Sequence, residues 1–192
     1  MITLFPEMFT GVFGSSMMWK AQKDGHVELS TIDLRQFGIG PRRTVDDTPY
    51  GGGDGMLLMV EPLWNAVQQA KQIDPGAKVL IMTPRGQRWR QALAQQYSES
   101  EDGYIVICGR YEGFDARVEE LVDEKISVGR YVLTGGELPA MIVIDSIVRL
   151  LPGVLGGGDE ATVIESYSQL DALEYPQYTR PEEYKGRRVP EV

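Results

Sequence analysis

Asp145 and Arg149 stand four residues apart in a stretch, Leu138 to Leu151, that is otherwise mostly apolar. On a helix this spacing makes an i,i+4 pair, worth about 0.2–0.5 kcal/mol on an exposed face. Packed inward or at a cleft, the guanidinium could instead hold an anion or a developing negative oxygen. Spacing alone leaves both readings open. Three glycine-containing segments also stand out: Thr83 to Gly86, Gly109 to Gly113, and Thr134 to Gly136. Each follows an apolar β-type run, the last one being Tyr131-Val132-Leu133. Glycine lets a backbone turn tightly or approach a ligand. Each segment alone reads as an ordinary strand-to-helix turn. Together, with Tyr111 and Tyr131 beside them, they describe a ligand pocket, provided their strands are neighbours. None fits the G-x-G-x-x-G or G-x-x-x-x-G-K-[ST] pattern, so neither a dinucleotide fold nor a phosphate-binding loop is supported.

The remaining chemical groups carry less signal. Glu165 and Ser166 lie in a polar tail, where a carboxylate is usually solvated. Arg42, Arg43, Arg85, Arg88, Arg90, Arg187 and Arg188 could neutralise phosphates, although any one of them reads as solvated surface. His26 lies in a strand-like pattern and reads as structural. Cys108 sits at a strand end and reads as a small core residue. One cysteine excludes an internal disulfide and fits a reducing, cytoplasmic compartment. With one His and one Cys, a zinc site is not expected.

The elements that must position these groups alternate between strand and helix. Short strands are expected at Met1–Phe5 and His26–Leu34, the latter from its polar/apolar alternation. Helices are expected at Met8–Trp19, Glu61–Ile73, Gln87–Tyr97 and Arg117–Asp123. Lys78–Met82 and Tyr104–Cys108 read as buried strands. Gln36–Gly55 reads as a long functional loop rich in Gly, Pro and Asp. Glu137 suits the positive end of a helix and Pro139 its first turn. The alternation argues for an α/β fold with a mostly parallel sheet. Gly157 to Glu160 reads as a flexible linker, and the polar stretch after it as a tail draped over the domain or a partner.

The 192 residues are enough for one domain with a real core, or for one domain and an appendage. The 42% hydrophobic content marks a globular chain. No apolar run reaches the roughly 18 residues of a membrane span, so no membrane partner is expected. A formal net charge of −9 disfavours indiscriminate nucleic-acid binding but leaves room for a local basic patch.

Several longer motifs carry a resemblance. Leu4-Phe5-Pro6-Glu7-Met8-Phe9, Thr44-Val45-Asp46-Asp47, Tyr50-Gly51-Gly52-Gly53, Cys108 to Gly113, Tyr131 to Met141 and Tyr178-Thr179-Arg180-Pro181 resemble the bacterial tRNA (guanine-N(1)-)-methyltransferases, the TrmD family of the SPOUT superfamily. The likeness runs from near Met1 to about Pro190. It implies an α/β domain with helices on both faces of the sheet and a C-terminal deep trefoil knot made from the three strand-end loops. S-adenosylmethionine would bind there. The matching positions are Ile81, Met82, Thr83 and Pro84 in the first loop and Gly109, Tyr111 and Glu112 in the second. In the third they are Val128, Gly129, Arg130, Tyr131, Val132, Leu133, Gly135 and Gly136, followed by Pro139. The resemblance also implies tRNA as substrate, the guanine 3′ of the anticodon as acceptor, and a homodimer with both subunits contributing to each site. A Mg²⁺ requirement is implied too, without assignable residues.

In this reading Arg149 supplies a cation and Glu165 the base, standing where familiar members carry Asp. The added methylene can displace the carboxylate by about an ångström. Asp54 stands where Pro is usual and Arg42 where some members have His. Residues 1–156 would form the knotted catalytic domain. Residues 157–192 would be a linker and the start of a truncated tRNA-binding region. The reading from another class is a binding module that holds S-adenosylmethionine or RNA without turnover.

Overall fold

A computed structural model describes residues 1–156, 165–168 and 172–190. The linker expected at Gly157–Glu160 lies outside the described residues.

The chain begins with β1 (Ile2–Thr3), α1 (Glu7–Phe13), α2 (Ser16–Lys23) and β2 (Ile32–Asp33). A 3-10 turn at Leu34–Phe37 leads to β3 (Asp46–Asp47) and β4 (Leu57–Leu58), which pair antiparallel. Then come α3 (Val60–Ile73), β5 (Lys78–Arg88), α4 (Gln91–Ser98) and β6 (Tyr104–Cys108). A second 3-10 turn (Ala116–Leu121) precedes β7 (Glu124–Ser127) and α5 (Glu137–Val148). The tail holds a small antiparallel hairpin, β8 (Glu183–Tyr184) and β9 (Arg187–Arg188).

Five strands form one sheet in the order β2-β1-β6-β5-β7, and every pairing in it is parallel. A parallel sheet must be covered on both faces, and its strands accordingly read as continuous apolar runs. Alternation along β5 and β6 divides the core in two. Leu80, Met82, Val106 and Cys108 face one side, against α1, α2, α4 and α5. Val79, Ile81, Ile105 and Ile107 face the other, against α3 and the two 3-10 turns. The expected α/β class with a mostly parallel sheet is therefore observed.

Several expectations are corrected. The expected strand Tyr131–Leu133 is irregular backbone; the strand lies earlier, at Glu124–Ser127, where Ile126 is fully buried. Its charged opening residues conceal it from hydropathy. The single helix expected over Met8–Trp19 breaks at Gly14–Ser15 into α1 and α2. His26 is not in a strand: Gly25 turns the chain at φ 80°, and His26 N–H donates to the Ala21 carbonyl, finishing α2. Strand pairing after it covers only Ile32–Asp33. Gln87 and Arg88 rejoin the sheet, so α4 begins at Gln91 instead of Gln87. The helix expected at Arg117–Asp123 is the 3-10 turn Ala116–Leu121. The long loop Gln36–Gly55 contains one strand, β3.

Candidate functional site

Three strands, β6, β5 and β7, are adjacent and parallel, so their carboxyl ends lie side by side. Met82 pairs with Cys108 on one side and with Ile126 on the other. Just beyond that rung each strand releases a loop. The β5 loop is an excursion: pairing with β7 stops at Met82 and resumes at Gln87, opposite the same Ile126. The loops close around a cavity of about 600 Å³, within the usual range for small-molecule sites.

Each loop supplies a wall. Met82, Thr83 and Pro84 line the cavity from β5, and Gly109, Tyr111 and Glu112 line it from β6. From the third loop come Val128, Gly129, Tyr131, Val132, Leu133, Gly135 and Gly136, with Pro139 from α5 behind them. Two expected positions do not line it: Ile81 is fully buried in the opposite core, and Arg130 is absent from the walls. Arg85, Arg110 and Thr134 line it from within the named loops, and Leu57, Phe114, Ala116 and Ile126 line it without having been singled out. Apolar side chains and glycine backbone therefore dominate, with few charges.

Close backbone approach explains one glycine. A Cβ on Gly136 would lie 2.7 Å from Cys108 Cα and from the Gly109 nitrogen. Gly136 N–H donates to the Gly109 carbonyl at 2.8 Å, so two cavity loops are stitched together at this point. Tyr111, in the second loop, holds φ at 58°. That region is costly for a non-glycine residue and persists only where the surroundings fix it.

A buried ion pair ties the same loops. Glu137 has no exposed surface; Arg110 Nε donates to its Oε2 at 2.9 Å, and Thr3 Oγ1 to its Oε1 at 2.7 Å. Sequence reading placed Glu137 at a helix start and went no further. The available signal was an acid directly before an apolar helix, with an arginine in a loop predicted to converge on it. Removing one member of such a buried pair typically costs about 3–5 kcal/mol.

Arg149 caps the C-terminal end of α5 and binds Glu165 with both terminal nitrogens, at 2.8 Å and 2.5 Å. Gln91 Nε2 donates to Glu165 Oε1 at 3.2 Å. The partnership settles the open question about Asp145, which is exposed while Arg149 turns to Glu165. Hydrogen bonding to Glu165 raises the Arg149 pKa, with burial opposing it. The guanidinium stays cationic at any working pH. Neither Arg149 nor Glu165 lines the cavity of its own chain. Arg149 follows Pro139 by ten positions along α5 and its cap, about 15 Å along the axis.

Cys108 is buried, as expected of a small core residue, and burial raises its thiol pKa. His26 packs against Gly153, in keeping with a structural role. Among the described residues no group of three or more His, Cys, Asp or Glu is placed to hold a metal ion. No described helix is long and apolar enough to cross a membrane.

The family model "tRNA (Guanine-1)-methyltransferase TrmD" matches residues 1–192. The tRNA (guanine-N(1)-)-methyltransferase of Geobacillus kaustophilus is 46% identical over 192 residues, covering 100% of this chain and 78% of the relative. The enzyme of the same name from Myxococcus xanthus is 49% identical over 189 residues, covering 98% of this chain and 76% of the relative. The crystal structure of tRNA (m1G37) methyltransferase from Aquifex aeolicus superposes with a TM-score of 0.81 at 41% identity, over 98% of this chain and 78% of that one.

Proposed function

We propose a mechanism and a substrate position on the premise that the chain belongs to the tRNA (guanine-1)-methyltransferase TrmD family, and is a tRNA (guanine-N1)-methyltransferase. The reading as a binding module without turnover finds no support in these relatives. The finer reading is that S-adenosylmethionine occupies the three-loop cavity and that the acceptor is the guanine 3′-adjacent to the anticodon.

The cavity supports the choice of donor. Its volume suits a nucleoside-sized ligand. Leu133, Val128 and Pro139 offer apolar walls, and the glycine-rich loops offer backbone amides and carbonyls. When bound, S-adenosylmethionine supplies a methyl group activated by its sulfonium charge.

The chain's own residues then have two tasks. Guanine N1 carries a proton at neutral pH, which a base must take before the nitrogen can attack. Glu165 is the proposed base. Charge builds on the neighbouring carbonyl oxygen, where the fixed Arg149 guanidinium stabilises it. The pair offers an acceptor and a cation side by side, complementary to the N1–H and carbonyl edge of guanine. The entering base would replace the direct Arg149–Glu165 contact.

The single observation that carries this reading is the bidentate Arg149–Glu165 pair at the end of the helix whose start walls the cavity. The pair does not reach its own cavity, which favours a homodimer in which one subunit's pair serves the other's cradle. The trefoil knot, a cytoplasmic location, and the division into a catalytic unit 1–156 and a tRNA-contacting unit 157–192 belong to the same proposal. The test is labelled methyl transfer to a tRNA with guanine at that position and to one with adenine there. Transfer only to the first is expected; equal transfer to both would overturn the assignment of the base.

A further inference from the structure

We infer that Arg110 and Glu137 are positioning residues that set the shape of the cradle and so govern donor affinity. The inference rests on the reading of the cavity as the S-adenosylmethionine site.

Arg110 belongs to the second loop and Glu137 directly follows the third. Besides the 2.9 Å bond to Glu137, the Arg110 guanidinium donates to the Thr134 carbonyl at 3.4 Å and lies 4.4 Å from the centre of the Phe5 ring. Arg110 and Gly135 also form an isolated antiparallel bridge. A Cβ on Gly135 would run into that guanidinium, so the third loop lies flush against it. Thr3, from β1, holds the other carboxylate oxygen of Glu137. The third loop is therefore referenced to the sheet through a charged chain, Thr3 to Glu137 to Arg110.

Glu137 is fully buried and does not line the cavity, so it cannot touch donor or acceptor. Its effect must pass through Arg110 and the loop. A low-dielectric ion pair favours one arrangement of two loops that backbone hydrogen bonds alone would hold less tightly. A preformed cradle binds its ligand with less ordering cost. Loss of the clamp should then weaken donor binding and leave the step at saturating donor nearly intact.

Glu137→Gln and Arg110→Lys in the full chain test this, by calorimetric titration with S-adenosylmethionine and by initial rates over a range of donor concentration. Circular dichroism confirms the fold of each. Glu137→Gln is the cleaner probe, because position 137 cannot contact the ligand. A rise of about tenfold or more in donor Kd and KM is expected, with kcat within about threefold. The double variant should be no weaker than the weaker single one, because both break one device. Folded variants that bind donor like the unsubstituted protein would overturn the inference, even with a lowered Tm. A fall in kcat at unchanged KM would overturn it as well. If Glu137→Gln does not fold, Thr3→Val carries the same criteria, because Thr3 holds Glu137 and is itself buried away from the cavity. Failure of the unsubstituted protein to bind S-adenosylmethionine would overturn the cavity assignment, and this inference with it.

Discussion

Arg149 holds Glu165 from 16 residues away, each terminal nitrogen on its own carboxylate oxygen, at 2.8 Å and 2.5 Å. The carboxylate is thus oriented before any substrate arrives. Replacing it with its amide keeps the shape and removes the basicity. Glu165→Gln is expected to slow methyl transfer by about 10²–10⁴-fold, with donor affinity unchanged. Single-turnover rates and donor titration check this. Undiminished turnover would remove Glu165 from the role of base.

A site shared between subunits predicts complementation. Gly136→Ala damages the cradle, and Glu165→Gln removes the proposed base. If each site takes its cradle from one subunit and its pair from the other, a mixed dimer holds one site with both parts intact. Unfolding and co-refolding the two variants in equal amounts should then restore about a quarter of wild-type activity. Sites built within one chain would restore none.

Gly136 itself has no room for a side chain, with Cys108 Cα and Gly109 N both 2.7 Å from the added carbon. Gly136→Ala must push the third loop off the second. Donor affinity should fall by about tenfold or more, while far-ultraviolet circular dichroism stays that of the parent. An alanine variant that binds normally would show that the loops can part without cost.

Cys108 gives a pH signature. Burial raises its pKa above the ordinary thiol value, and the nearby Glu137 charge adds to the effect. Below the ordinary value both folded and unfolded chains keep the proton, and the stability is fully present. As pH rises above it, only the unfolded chain ionises, and stability falls toward the raised folded value. Chemical denaturation across about pH 8 to 10 should show this loss in the parent, and a shallower one in Cys108→Ala. Thiol reagents should label Cys108 only on unfolding.

Much of this was legible in the sequence for identifiable reasons. Lys78–Met82 and Tyr104–Cys108 are central parallel strands, and burial on both faces leaves continuous apolar runs. The convergence of three loops followed once those strands were taken as neighbours. β7 was hidden because Glu124 and Lys125 open it, and only Ile126 and Ser127 are buried. The apolar run Tyr131–Leu133 drew the assignment instead, although its side chains line a cavity and remain partly exposed. Local spacing also offered Asp145 as the partner of Arg149. The real partner comes from the tail, which no helical periodicity can reveal. The role of Glu137 depends on Thr3, 134 residues away, and on Arg110, contacts that only the folded sheet creates.

The rung Met82–Cys108–Ile126, from which all three loops depart, makes the cradle an all-or-nothing object during folding. Its strands are joined by the crossovers at residues 89–103 and 109–123 and must close in parallel, a slow kind of pairing. No two strands alone enclose the cavity. Donor-binding competence should therefore emerge together with the last sheet closure in a refolding experiment, making the ligand a reporter of the rate-limiting topology.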